Sequence, residues 1–179
     1  MQRKTKKVTK KRTISACKKQ AWMAFSEWIR LRDCISTTGN TDSGVCITCG
    51  KLVSGGNRQA GHFIAGRTNA ILFDEDIVHL QCFGCNVCNH GEQLEYYYAM
   101  KKLGYTEDEI TILRQRRNTA CKYTAEDYET IAEYYKKKAD LLRSAFLLGG
   151  AYSKKTISLS SLPHACSSPE ASQPWVHKQ

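Results

Sequence analysis

Residues 46–90 read CITCGKLVSGGNRQAGHFIAGRTNAILFDEDIVHLQCFGCNVCNH. The segment holds two Cys-x-x-Cys pairs, Cys46/Cys49 and Cys82/Cys85, with Gly61-His62 between them and Asn86 directly after the second pair. Four soft thiolates in two knuckles are the usual means of closing a tetrahedral structural zinc site. Such a site leaves no open position for water, so this zinc holds the fold and does not catalyse. Cys88 makes a third Cys-x-x-Cys with Cys85 and competes for a place. The Cys82/Cys85 assignment is preferred because Asn86 then follows the last ligand. Cys17, Cys34, Cys121 and Cys166 are scattered and read as free thiols. In a chain without a secretory signal, this pattern means metal binding before disulfides and fits a reducing, cytoplasmic compartment.

Working outward, the charge is uneven. The 179 residues carry 27 Lys/Arg against 17 Asp/Glu, and nine of the basic residues fall in residues 1–19 with no acid among them. The basicity therefore belongs to an arm, and the folded body is close to neutral. An arm of this kind, with Lys6, Lys7, Lys10, Lys11 and Arg12 at its centre, is expected to contact phosphates with salt-sensitive, sequence-independent affinity. No apolar run approaches the roughly 18 residues of a membrane span, so no membrane association is expected. Three regions follow: a basic disordered arm at 1–19, a zinc-containing domain with flanking helices at 20–148, and a disordered Ser/Pro-rich tail at 149–179.

Helical periodicity is expected over Gln20 to Asp33, with Trp22, Phe25 and Ile29 on one stripe and Trp28 widening it. Residues 36–45 read as a Ser/Thr/Gly/Asn loop, and Gly55-Gly56 as a turn before a short strand carrying His62. Ala70 to Phe73 and Ile77 to Leu80 offer the return strand. From Asn86 or Asn89 the pattern turns helical, with Leu94, Tyr97 or Tyr98, Met100 and Leu103 on repeating faces. Capping boxes at Thr106/Glu109 and Thr124/Asp127 start two later helices. The last of these should pack through Tyr128, Ile131, Tyr135, Leu142 and Phe146, with Lys136, Lys137, Lys138 and Arg143 on a basic face. The class is α+β, a small zinc-stapled core flanked by helices.

Hydrolysing a phosphodiester needs a base to activate water and a cation to stabilise charge on the phosphate and leaving oxygen. His62 fits the base. Asn86 and His90, four residues apart, would share one face of a helix and jointly hold a divalent ion. His79 is the other nearby ligand, and Asp74, Glu75 and Asp76 offer hard oxygens suited to Mg²⁺. Arg67, just after the His62 strand, is a candidate phosphate contact.

Cys-x-x-Cys, then Gly-His, then Cys-x-x-Cys-Asn resembles an HNH, or ββα-metal, nuclease core of the phage endonuclease VII kind. The longer string AGHFIAGR…FDEDIVHLQCFGCN, with FSEWIRLRD and CITCG before it, is more closely similar to the lambda NinG (Rap) family over about residues 20–145. The resemblance implies a phage recombination protein, a structure-specific endonuclease cutting Holliday junctions and other branched DNA, with a homodimer and phage recombination proteins as expected partners. It implies His62 as general base, Asn86 as a ligand of a catalytic Mg²⁺ or Mn²⁺, and the four paired cysteines as zinc ligands. Two departures stand out. HNH sequences usually place Asp or His immediately before the base, where this chain has Gly61. Many also carry an Asn that orients the base-bearing loop, where this chain has Ile77 beside Asp76. Both favour the competing expectation, a non-catalytic zinc-containing protein that binds branched DNA.

Overall fold

The computed structural model describes residues 12–148. Lys6, Lys7, Lys10, Lys11 and the Ser/Pro-rich tail lie outside the described residues.

Helix α1 runs Ile14–Thr38, longer at both ends than the stripe from Gln20 to Asp33. It starts early because the Thr13 side chain caps the Ala16 N–H, so residues 14–19, read as part of the arm, are helical. It continues through the Ser/Thr run because those hydroxyls bond back within the helix. Ser36 and Thr37 donate to the Asp33 carbonyl and Thr38 to that of Cys34. Gly39, left-handed at φ 64°, ends it.

Two antiparallel two-stranded ribbons follow. Strand β1 (Ser43–Val45) pairs with β2 (Leu52–Ser54), and β3 (Arg58–His62) with β4 (Val78–Cys82). In the second ribbon Gln59 faces Gln81, Gly61 faces His79 and His62 faces Val78. Ala70 to Phe73 are not strand: a single helical turn, α2 (Asn69–Leu72), buries Ile71 and Leu72 instead. After β4 the chain makes a wide π-type turn, Gly84–Cys88, and α3 begins only at Gln93. Its inward residues are Tyr96 and Met100, one turn apart, while Leu94 and Leu103 are exposed.

Helices α4 (Glu107–Arg116) and α5 (Ala125–Leu147) start at the two expected capping boxes, both complete. The main core lies between α1 and α5. Phe25 of α1 meets Phe73 and Tyr135 edge-on, with ring centroids 5.7 and 4.8 Å apart. Lys138 does not join a basic face. It is buried over the Trp28 ring, 4.6 Å from its centroid, and paired with Glu75.

Asp33 ties α1 to the second ribbon. Its buried carboxylate accepts from Arg32 Nε at 2.7 Å and from the Leu80 N–H at 2.6 Å. Burial pushes the Asp33 carboxyl up, but Arg32 and His79 outweigh it and hold the group well below the usual carboxylate range. A second, smaller core gathers Cys34, Cys46, Val53, Leu80, Cys82 and Cys85. No helix among the described residues is long and apolar enough to cross a membrane.

Candidate functional site

The two ribbons bring the paired cysteines together. The Sγ atoms of Cys46, Cys49, Cys82 and Cys85 all lie within 4.8 Å of one another. Cys49 and Cys82 are 3.8 Å apart, the edge of a tetrahedron with metal–sulfur bonds of about 2.3 Å. Gly50, at φ 71°, turns the first knuckle back so that its N–H reaches the Cys46 carbonyl at 2.9 Å. Backbone N–H groups point at the sulfurs: Cys82 donates to Cys46 Sγ at 3.2 Å and Cys85 to Cys82 Sγ at 3.3 Å. Burial pushes the Cys46 thiol up, but hydrogen bonds from Cys49, Thr48 and Cys82 outweigh it and bring it to about 6. Cys85 is pushed up by burial and then by the neighbouring sulfurs, the repulsion a divalent cation relieves. The donor set fits a structural metal such as zinc. Cys88 is exposed and outside the cluster. Of the scattered cysteines, Cys17 and Cys34 are buried free thiols. Cys121, expected free, is disulfide-bonded, and Cys166 lies outside the described residues.

Beside this centre lies a cavity of about 230 Å³ lined by Trp22, Ser26, Arg30, Gln59, Ala60, His62, Arg67 and Asn86. His62 reaches it from the end of β3 and Asn86 from the π-type turn directly after Cys85. The His62 ring stacks on Trp22, with centroids 5.3 Å apart and planes 18° apart. Its Nε2 is 3.3 Å from the Leu72 carbonyl oxygen. A carbonyl only accepts, so Nε2 carries the hydrogen and Nδ1 keeps the free lone pair. Burial lowers the His62 pKa to about 4; Arg67 adds to this, while the Leu72 hydrogen bond works against it. The ring is therefore neutral at pH 7. Arg67 lies over the Trp22 ring, 4.4 Å from its centroid.

The other candidates are placed differently. Arg12 is exposed and donates to Gln20 at 2.7 Å. His90 is exposed at φ 52°, beyond the π-type turn, so it shares no helical face with Asn86 and does not line the cavity. His79 Nδ1 faces Arg32 at 3.1 Å and Asp33 at 3.5 Å, while its Nε2 is buried without a hydrogen-bond partner. The acidic run is engaged elsewhere. Asp74 and Asp76 both take Arg116, and Glu75 takes Lys138 and Trp28.

Three contributors were not legible in the sequence. Trp22 and Arg30 line the cavity from α1. Tyr96, fully buried, donates to the Gly61 carbonyl at 3.0 Å and lies 3.4 Å from that of Ile77. With the Phe63 N–H on the Ile77 carbonyl at 2.7 Å, it ties down the segment bearing His62, which in many HNH sequences an Asn side chain orients.

The fold and the cysteine cluster define a mixed α+β protein of helices and small ribbons, stapled by a candidate four-cysteine metal centre. The chain belongs to the NinG family: the family model described as Bacteriophage Lambda NinG protein matches residues 1–144. That match includes the basic arm, which the resemblance read from the sequence left outside. No curated protein and no solved structure matches the chain.

Proposed function

We propose that this chain is a metal-dependent DNA endonuclease of the HNH, or ββα-metal, kind that cuts Holliday junctions and other branched DNA during phage recombination. One observation carries the reading: His62 and Asn86 line the same cavity as two guanidinium groups, Arg30 and Arg67, with no acidic residue among the described residues that line it. That combination suits a phosphodiester. Membership of the NinG family suggests the link to phage recombination. The order β3, β4, α3 also agrees with a ββα-metal core.

In the proposed reaction the neutral His62 takes a proton from water at Nδ1, while its Nε2–H stays on the Leu72 carbonyl. Arg30 and Arg67 orient the phosphate. Trp22 supports the His62 ring and carries Arg67. Asn86 would hold a Mg²⁺ or Mn²⁺ ion; neither His79 nor His90 is among the described residues that line the cavity. When bound, such an ion supplies Lewis-acid stabilisation of charge on the phosphate and leaving oxygen. Cutting both strands at a branch needs two such cavities, which a homodimer provides.

The test is cleavage of a synthetic four-way junction with Mg²⁺ or Mn²⁺, set against His62→Ala. Wild type should nick the junction, and the variant should lose about 10²- to 10⁴-fold in rate. Binding without nicking by either protein would overturn the enzyme reading. It would favour the non-catalytic DNA-binding protein to which Gly61 points.

A further inference from the structure

Gly61 stands where the HNH resemblance leaves a ligand missing, yet the space its side chain would fill is taken. A Cβ at Gly61 would lie 1.8 Å from Oε1 of Gln81 and 2.9 Å from Oδ1 of Asn86. The strand register explains the first contact. Gly61 faces His79 and Gln59 faces Gln81, so Gln81 is the diagonal neighbour of Gly61 on the same face of the ribbon. With no side chain at 61, the Gln81 amide lies across the vacant position.

Gln81 is fully buried. Its amide orientation follows from its partner: Nε2 donates to the Gly91 carbonyl at 2.9 Å, an oxygen that can only accept. Oε1 is therefore the atom turned toward Gly61 and Asn86. Among the described residues, only two buried side-chain polar atoms have no hydrogen-bond partner, Gln81 Oε1 and His79 Nε2. Both belong to β4 residues on the Gly61 face. A buried acceptor without a donor is costly and rare. Here it converges with a second amide oxygen, and hard divalent cations take oxygen ligands of this kind.

We propose that the Gln81 carboxamide oxygen supplies the ligand Gly61 lacks, so that Gln81 and Asn86 together hold the divalent ion beside His62. The proposal rests on the metal-dependent reading above and assigns a residue that reading does not use. Glycine at 61 and glutamine at 81 then form one device. The oxygen comes from the neighbouring strand, and any Cβ at 61 would displace it. Both ligands are uncharged, so the free ion binds weakly and a phosphate in the cavity completes its site.

The experiment measures Mn²⁺ binding to the zinc-loaded full chain by electron paramagnetic resonance, with junction nicking followed in parallel. Gln81→Met keeps the side-chain length without the oxygen. It should retain zinc and stay folded, with a thermal midpoint lowered by the lost Gly91 hydrogen bond, but weaken Mn²⁺ binding by at least about tenfold. The exchange Gly61→Asp with Gln81→Ala should restore binding, because the shortened residue clears the space an aspartate needs. Gln81→Met binding Mn²⁺ as wild type does would overturn the proposal, while nicking by wild type would leave the endonuclease reading standing. Conversely, a wild type that binds Mn²⁺ but never nicks sinks the endonuclease reading, and the Gln81 comparison still decides the ligand. Should Gln81→Met lose its zinc, failure of the folded exchange variant to bind Mn²⁺ would overturn the proposal. No Mn²⁺ binding by wild type at millimolar concentration would overturn it as well.

Discussion

His62 owes its chemistry to three neighbours. The Leu72 carbonyl selects the tautomer, Trp22 packs its face, and burial with Arg67 keeps it uncharged. Because its pKa falls from the ordinary 6.5 to about 4, the base form persists well into mild acid. On the proposed endonuclease reading, the acid limb of the cleavage rate should therefore fall below about pH 5 and not near 6.5, which a pH–rate profile on a junction substrate measures. The same shift affects stability. The unfolded chain takes up the proton more readily than the folded one, so the His62 contribution is lost as pH falls through 6.5 and levels off below about 4. A zinc held by the four cysteines would also be released in acid, as its thiolates take up protons. The difference in urea midpoint between wild type and His62→Gln, taken across that window, isolates the histidine. At the metal centre, Cys46→Ser should abolish stoichiometric zinc and unfold the domain, read by elemental analysis and circular dichroism. A folded, zinc-free wild-type protein would refute the structural role of the cluster.

At the scale of elements, the Asp33 carboxylate couples α1 to β4, and with it to the strand that carries Gln81 and two of the cysteines. Its neighbours Arg32 and His79 are themselves largely buried. Asp33→Asn removes the buried carboxylate that pairs with Arg32 and should cost about 3–5 kcal/mol in urea unfolding, as breaking a buried pair does. Because the folded Asp33 pKa is depressed, its contribution is present above the usual carboxylate value and lost as pH falls through the folded one. The wild-type advantage over Asp33→Asn should therefore shrink in acid; an advantage unchanged down to pH 3 would argue against the ion pair. These elements were unevenly legible in the sequence. Both capping boxes were legible because they are local hydrogen-bond patterns four residues long. The extent of α1 and the turn at α2 were not. Ser/Thr hydroxyls that suit a loop can equally bond back along a helix, and Ile71 and Leu72 are apolar enough for a strand or a buried turn.

For the whole molecule, the net charge of +10 is concentrated at one end of the chain, and the family match covers that end too. Deleting residues 1–11 removes six Lys/Arg. If they contact phosphates, the slope of log affinity against log salt should drop by up to about five, with junction preference retained. Fluorescence anisotropy across a salt series on four-way and linear DNA measures both. An unchanged slope would mean that the arm does not touch the nucleic acid.

The sequence by itself determined the two cysteine pairs, the two later helix starts and the family, and it marked His62 and Asn86 as candidates, because each is carried by local spacing or short motifs. Only the tertiary structure decided that Cys88 stands apart from the cluster and that Asn86 parts from His90 across a π-type turn. It alone brought Trp22 and Arg30 of α1 into the cavity and set the Gln81 oxygen against Gly61. These depend on strand register and on how helices dock, long-range packing that no short stretch of residues encodes. Glutamine at 81 reads in the sequence as an ordinary polar strand residue. It acquires a chemical role only because a glycine lies diagonally across the ribbon.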